Sequence, residues 1–133
     1  MKRLLIIFSL ISALTLSFEA GAQQRTNDVF TPIGKYLAQG NTDALSAWFA
    51  DNLQISVISQ EISASKSQAK QIIKAFFGNY TPRNFTITHT AGKSNIKYAL
   101  GELIAGGERF HVTVFVICKD GDLKIQQLSI TRA

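Results

Sequence analysis

The segment Glu108 to Lys119 constrains this chain more than any other. Phe110, Val112, Val114, Val116 and Cys118 fall at every second position, with His111, Thr113, Phe115, Ile117 and Lys119 between them. A period of two puts each set on its own face of a strand. The first set is wholly apolar and has to be covered by helices, whereas the second is only partly polar. Gly106-Gly107 precedes the strand and Asp120-Gly121 follows it. Both dipeptides supply the positive φ angles that two-residue hairpin turns demand. The strand is therefore the middle of an antiparallel meander. Its neighbours are Asn95–Ala105 and Asp122–Thr131, and Gly92-Lys93-Ser94 joins a further strand, Asn84–Ala91. Gln126-Gln127 breaks the alternation between Leu123/Ile125 and Leu128/Ile130, which predicts a β-bulge in the last strand.

The half before the meander reads as helices. Asp28 to Gln39 carries Val29, Phe30, Ile33 and Leu37 on one face, with Asp28 or Asn27 as N-cap and Gly40 as a left-handed stop. Thr42 to Asn52 is expected as a second helix, with Leu45, Trp48, Phe49 and Leu53 as its stripe. A strand over Gln54–Ser59 and a short one near Glu61–Ser63 follow. Ser65-Lys66-Ser67-Gln68 fits a capping box, and Ala69, Ile72, Ile73, Phe76 and Phe77 form the strongest amphipathic stripe of the chain. This order predicts an α+β fold, a curved antiparallel sheet wrapped around three N-terminal helices.

Residues 1–22 are read as an address rather than as structure. Met1-Lys2-Arg3 is cationic, Leu4 to Leu16 is almost wholly apolar, and Ala20-Gly21-Ala22 supplies small residues for cleavage, the plan of a secretory signal peptide. The apolar run is short for the ~20 residues a membrane span needs. Cleavage after Ala22 leaves one domain, residues 23–133, in the periplasm or outside the cell, with no membrane span. Lys2, Arg3 and Glu19 leave with the leader, so the net charge falls by one from +5 to +4. The remaining bases are scattered, without the basic stripe and interleaved aromatics of a nucleic-acid footprint. One cysteine and two histidines exclude a disulfide scaffold and give no basis for a zinc site. No phosphate loop, dinucleotide fingerprint or nucleophile elbow occurs, so neither a cofactor nor a metal is expected.

The element order resembles the nuclear transport factor 2-like (cystatin-like α+β) superfamily. A closer resemblance is carried by Asp28-Val29-Phe30-Thr31-Pro32-Ile33, Gly40-Asn41, Trp48-Phe49-Ala50-Asp51-Asn52-Leu53 and Phe76-Phe77. It continues in Phe85-Thr86-Ile87-Thr88-His89, Tyr98-Ala99-Leu100-Gly101 and Ile125-Gln126-Gln127-Leu128-Ser129-Ile130. In these motifs the chain is similar to an exported bacterial family of unknown function, domain of unknown function 4783. These are packing motifs, specific for fold and almost silent about chemistry. The resemblance implies a cone whose open end can bind a small ligand, and some relatives are isomerases or dehydratases. It also implies dimerisation through the outer face of the sheet.

Strand parity supplies the candidates. Phe85, Ile87 and His89 share a face of one strand, and Ile96, Tyr98, Leu100, Glu102 and Ile104 share a face of the next. If both faces are internal, His89 and Glu102 are the acid/base candidates on the concave wall, with Tyr98 beside them. Trp48 and Phe77 would complete the wall of a pocket for a small apolar ligand. A buried ionisable group needs a partner, which a His–Glu pair or a water-filled cavity would provide. The opposite face, with His111, Thr113, Phe115 and Ile117 flanked by Thr86, Thr88 and Leu103, is the candidate dimer face. The expected function is that of a non-catalytic module binding a small molecule or a protein. The alternative is a small cone enzyme, isomerase- or dehydratase-like, acting on an apolar substrate. A pocket filled with phenylalanines would remove both ligand readings.

Overall fold

The computed structural model describes residues 29–133. The leader and its cleavage site, the N-terminal stretch Gln23–Asn27 and the cap at Asn27 or Asp28 lie outside the described residues. The elements run α1 (Phe30–Gln39), α2 (Thr42–Ser46), β1 (Phe49–Val57), β2 (Gln60–Ser65), α3 (Lys66–Asn79), β3 (Pro82–Gly92), β4 (Ile96–Ala105), β5 (Glu108–Lys119) and β6 (Asp122–Arg132).

Local chemistry sets the helix ends. Gly40 takes a left-handed conformation (φ 68°) after α1, and the Asn41 amide turns back to donate to the Tyr36 carbonyl at 3.0 Å. The Asn41 side chain then accepts from the Ala44 amide and opens α2. In α3 the capping box forms in both directions: the Gln68 amide donates to Ser65 Oγ, and the Ser65 amide donates to Gln68 Oε1.

The second helix is much shorter than its sequence pattern suggests. It ends at Ser46, and Phe49, Leu53 and Ile55 bury their side chains from a strand instead. The pairing of β1 with β6 jumps from Phe49–Ile125 to Gln54–Gln127, so a bulge lies between them. Phe49 and Leu53 are four residues apart, and residues so spaced share a face of a strand as they share a face of a helix.

The six strands form one sheet in the order β2-β1-β6-β5-β4-β3. All neighbours are antiparallel except β1 and β6, which run parallel. That pair is connected by most of the chain, and the Ile125 amide donating to the Trp48 carbonyl at 2.7 Å extends it. Both expected turns have positive φ at both positions, Gly106/Gly107 and Asp120/Gly121. The expected bulge in β6 is present: Phe115 faces Gln127 while Val116 faces Ile125, leaving Gln126 as the extra residue.

The inner face of the sheet is the core. Phe110, Val112, Val114 and Val116 are buried there with Leu103, Ile125, Leu128 and Ile130. Against them pack Phe30, Ile33 and Leu37 of α1, Leu45 of α2, and Ala69, Ile73, Phe76 and Phe77 of α3. Aromatic rings fill the end of the cone beside α3: Phe110 meets Phe76 and Tyr80 edge-on, with centroids 5.2 Å away in each case. Arg132 reaches over the Tyr80 ring, donates to its hydroxyl at 2.9 Å and pairs with Glu108, which holds the guanidinium in its charged form.

Candidate functional site

The register of β3, β4 and β5 decides where the polar candidates point. Leu103, Ala99 and Ala105 are buried, so the odd positions of β4 face the helices. The even positions, Ile96, Tyr98, Leu100, Glu102 and Ile104, face the other way. Their partners on β5 are Ile117, Phe115, Thr113, His111 and Arg109 in that order. Paired residues share a face of the sheet. Glu102 and Tyr98 therefore stand on the outer surface beside the residues expected there, His111, Thr113, Phe115 and Ile117.

His89 reaches the same surface by a different route. Pairing runs Phe85–Leu103, Thr86–Glu102 and Ile87–Gly101, then shifts to His89–Leu100. The skipped residue, Thr88, donates its hydroxyl to the Leu100 carbonyl at 3.2 Å. One extra residue reverses the alternation, so Phe85 and Ile87 point inward and His89 points outward. The His89 and Tyr98 rings lie 6.1 Å apart.

The concave wall proposed for His89, Glu102 and Tyr98 is thus corrected: all three occupy the solvent face of the sheet. Phe77 is 8% exposed and belongs to the core, packed on Phe76 at 5.7 Å. Trp48 is half-buried at the core margin. These five residues do not come together around one cavity. Leu103, expected to flank the outer face, is wholly buried on the inner one.

What the outer face does assemble is an amphipathic surface. Ile96 and Leu100 are 39% and 37% exposed. Tyr98 and Phe115 stack across the strands at 6.4 Å with only 5° between their planes. Ile104 and Ile117 extend the apolar strip. Beside it, Arg109 Nε binds Glu102 Oε1 at 2.8 Å. Polar residues of β6 continue the surface: Lys124, Gln127, Ser129 and Thr131 pair with Ile117, Phe115, Thr113 and His111.

Open depressions lie elsewhere among the described residues. A groove of about 480 Å³ between the β1–β2 turn and α3 has an apolar floor of Ile58, Ile72, Phe76 and Tyr80, and no carboxylate or imidazole lines it. A depression of about 570 Å³ at the β5–β6 turn mixes Asp51, Asp120 and Asp122 with Lys66, Lys119 and Lys124. A third, of about 430 Å³, lies where Gly34 and Phe30 of α1 meet Phe85 and Ile87. Among the described residues no cluster of three metal-ligating side chains occurs. No helix there is long and apolar enough to cross a membrane.

A three-helix layer against a curved, mostly antiparallel sheet is the architecture of the cystatin-like, nuclear transport factor 2-like folds, and solved structures bear this out. A crystal structure of a DUF4783 family protein from Bacteroides uniformis superposes with a TM-score of 0.74 at 20% identity, covering 77% of this chain and 94% of its own. A cystatin-like domain of unknown function from Nostoc punctiforme gives 0.65 at 12% identity, over 84% of this chain and 76% of its own. A nuclear transport factor 2-like protein of unknown function from Cytophaga hutchinsonii gives 0.59 at 10%, over 81% and 89%. The family model for the domain of unknown function DUF4783 matches residues 30–131, and the chain belongs to that family. Among curated proteins, none matches.

Proposed function

We propose that this is an exported, non-catalytic interaction module that works as a homodimer through the outer face of its sheet. The observation that carries the reading is the strip of Ile96, Tyr98, Leu100, Ile104, Phe115 and Ile117 on one solvent-facing surface. Scattered apolar residues on a surface need no explanation, but three successive cross-pairs, Ile96–Ile117, Tyr98–Phe115 and Leu100–Thr113, form a contiguous strip that marks an interface, with Ile104 beyond the Glu102–His111 pair. The whole four-strand face around it comes near the size a second copy needs. Strands β3 to β6 at ~4.8 Å spacing and ~3.3 Å per residue over ten residues outline roughly 650 Å². Stable complexes bury about 800 Å² per partner. The face is also self-complementary in charge, since it carries Glu102 and Arg109 side by side. A two-fold axis can set each against its opposite in the partner.

The enzyme alternative has less support. Its base and acid would stand on an open surface, with no apolar pocket around them to hold a substrate. Among the described residues, a small apolar ligand would find an apolar floor in the groove of Ile58, Ile72, Phe76 and Tyr80, which is separate from the residues first considered for it.

Light scattering on the mature protein at neutral pH tests the dimer. The expected mass is twice that of the monomer, and Leu100→Lys combined with Phe115→Glu gives a monomer with an unchanged circular dichroism spectrum. A wild type that stays monomeric up to about 100 µM overturns the reading. Export is tested separately by mass spectrometry, which should find Gln23 as the N-terminal residue.

A further inference from the structure

Both histidines of the 133-residue chain lie on this one surface. His89 is placed there by the bulge at Thr88 and lies against Tyr98. His111 pairs across the strands with Glu102 on one side and Thr131 on the other. Both are exposed in the single chain. They lie on either side of Leu100 and Glu102, so a partner seated on the apolar strip covers them too. We infer that the homodimer is acid-labile: its outer face releases the partner when the two imidazoles are charged. The inference rests on the dimer reading given above.

The charged and titratable groups facing the two imidazoles can be enumerated from the register. Around His111 they are Glu102 on β4 and Arg109 two residues earlier on its own strand; β6 contributes the uncharged Thr131 and Ser129. Around His89, which pairs with Leu100, they are the Tyr98 phenol on one diagonal and Glu102 on the other; β3 is an edge strand of the described sheet. Among the described residues, Glu102 is the one carboxylate that the register brings near either ring, and Arg109 already holds it at 2.8 Å. With both imidazoles neutral, the face carries the Glu102–Arg109 pair and, at its far end, Lys124 beside an apolar strip. Protonation adds two positive charges per protomer, hence four at a two-fold interface, and no unengaged carboxylate meets them.

The sign follows from linkage. Imidazole is the side chain whose charge changes between pH 5 and 8. In the separate chain the two rings face water, which solvates the charged form. In the dimer they are desolvated against like charges, which disfavours it. The monomer therefore takes up more protons, and lowering the pH favours dissociation.

Sedimentation equilibrium at pH 7.5 and 5.5 and constant ionic strength tests this. For wild type the dissociation constant is expected to rise by at least ~10-fold at the lower pH. The variant His89→Gln/His111→Gln should dimerise at pH 7.5 and keep its dissociation constant within about three-fold at pH 5.5. Each single variant should retain part of the shift. Circular dichroism at both pH values establishes that dissociation is not unfolding. A wild-type constant that does not move, or a double variant that moves as much as wild type, overturns the acid-labile interface and leaves the dimer standing. A wild type monomeric at pH 7.5 overturns the dimer and this inference together.

Discussion

Gly101→Ala is a sharp test of how β3 is held against the rest of the fold. Phe85 points inward from β3 and lies in a notch between two glycines. A Cβ built on Gly34 would meet Phe85 Cδ2 at 3.3 Å, and one built on Gly101 would meet Phe85 Cζ at 2.3 Å and the Thr86 carbonyl oxygen at 2.9 Å. The second position leaves no room for a methyl. The ring cannot swing away, because α1 stands behind it, and the Thr86 carbonyl belongs to the backbone of the paired strand. Two effects compete. Replacing a strand glycine by alanine restricts the unfolded chain and gains roughly 0.4–1 kcal/mol where the site tolerates it. Overpacking a filled site costs about 1–3 kcal/mol. With a contact more than 1 Å inside van der Waals distance, the steric cost wins. The net expectation is a loss of about 1–2 kcal/mol, or roughly 5–15 °C in melting temperature for a domain of this size. Urea denaturation followed by circular dichroism measures it. Gly78→Ala is the matched control: nothing lies within 4 Å of its added Cβ. It lies in α3, so it should stabilise by about 0.5–1 kcal/mol. Adding Phe85→Leu to Gly101→Ala should recover part of the loss, as direct contact requires. If Gly101→Ala behaves like Gly78→Ala, the close approach of Phe85 to β4 is wrong, and with it the inward orientation of Phe85 on which the outward turn of His89 depends.

Further outcomes follow from the same packing. Leu128→Ala, at a wholly buried position of β6, should cost about 2–5 kcal/mol in chemical denaturation. Leu100→Ala, on the outer face, should change monomer stability by less than about 0.5 kcal/mol yet weaken self-association in sedimentation. Ser65→Ala removes one half of the α3 capping box and should cost about 1 kcal/mol, read by thermal melting. Lys70 holds the Asp43 carboxyl below its ordinary value through a hydrogen bond and its charge. A carboxyl with a depressed folded-state value contributes stability that is present above its unfolded value and lost as pH falls through the folded one. Asp43→Asn should therefore lower neutral-pH stability slightly, as an exposed pair allows, and flatten the acid limb by the same amount, the two proteins converging below about pH 4.

Much of the fold was legible in the chain because its signals are local. Paired positive-φ turn residues fixed the ends of β5, strict alternation fixed its buried face, and Ser65 with Gln68 fixed the start of α3. Gln126 announced its own bulge by placing two glutamines where the pattern called for one. Three features were set elsewhere. The helical reading of Trp48 to Leu53 failed because residues four apart share a face in a strand as in a helix, and no residue of that segment records which pairing it will make. The parallel contact of β1 with β6 joins segments some seventy residues apart, which local periodicity does not encode. The candidate site depended on the third. Alternation established that Tyr98 and Glu102 share a face and that Phe85 and Ile87 share one, but it could not say which face of β4 is inner. That was decided by Ala99, Leu103 and Ala105 packing against the core. The extra residue at Thr88 then carried His89 to the opposite side from Phe85. A sequence determines which side chains travel together along a strand; only the docking of helices onto a paired sheet determines which side is dry, because burial is a property of the assembled layers and not of any one of them.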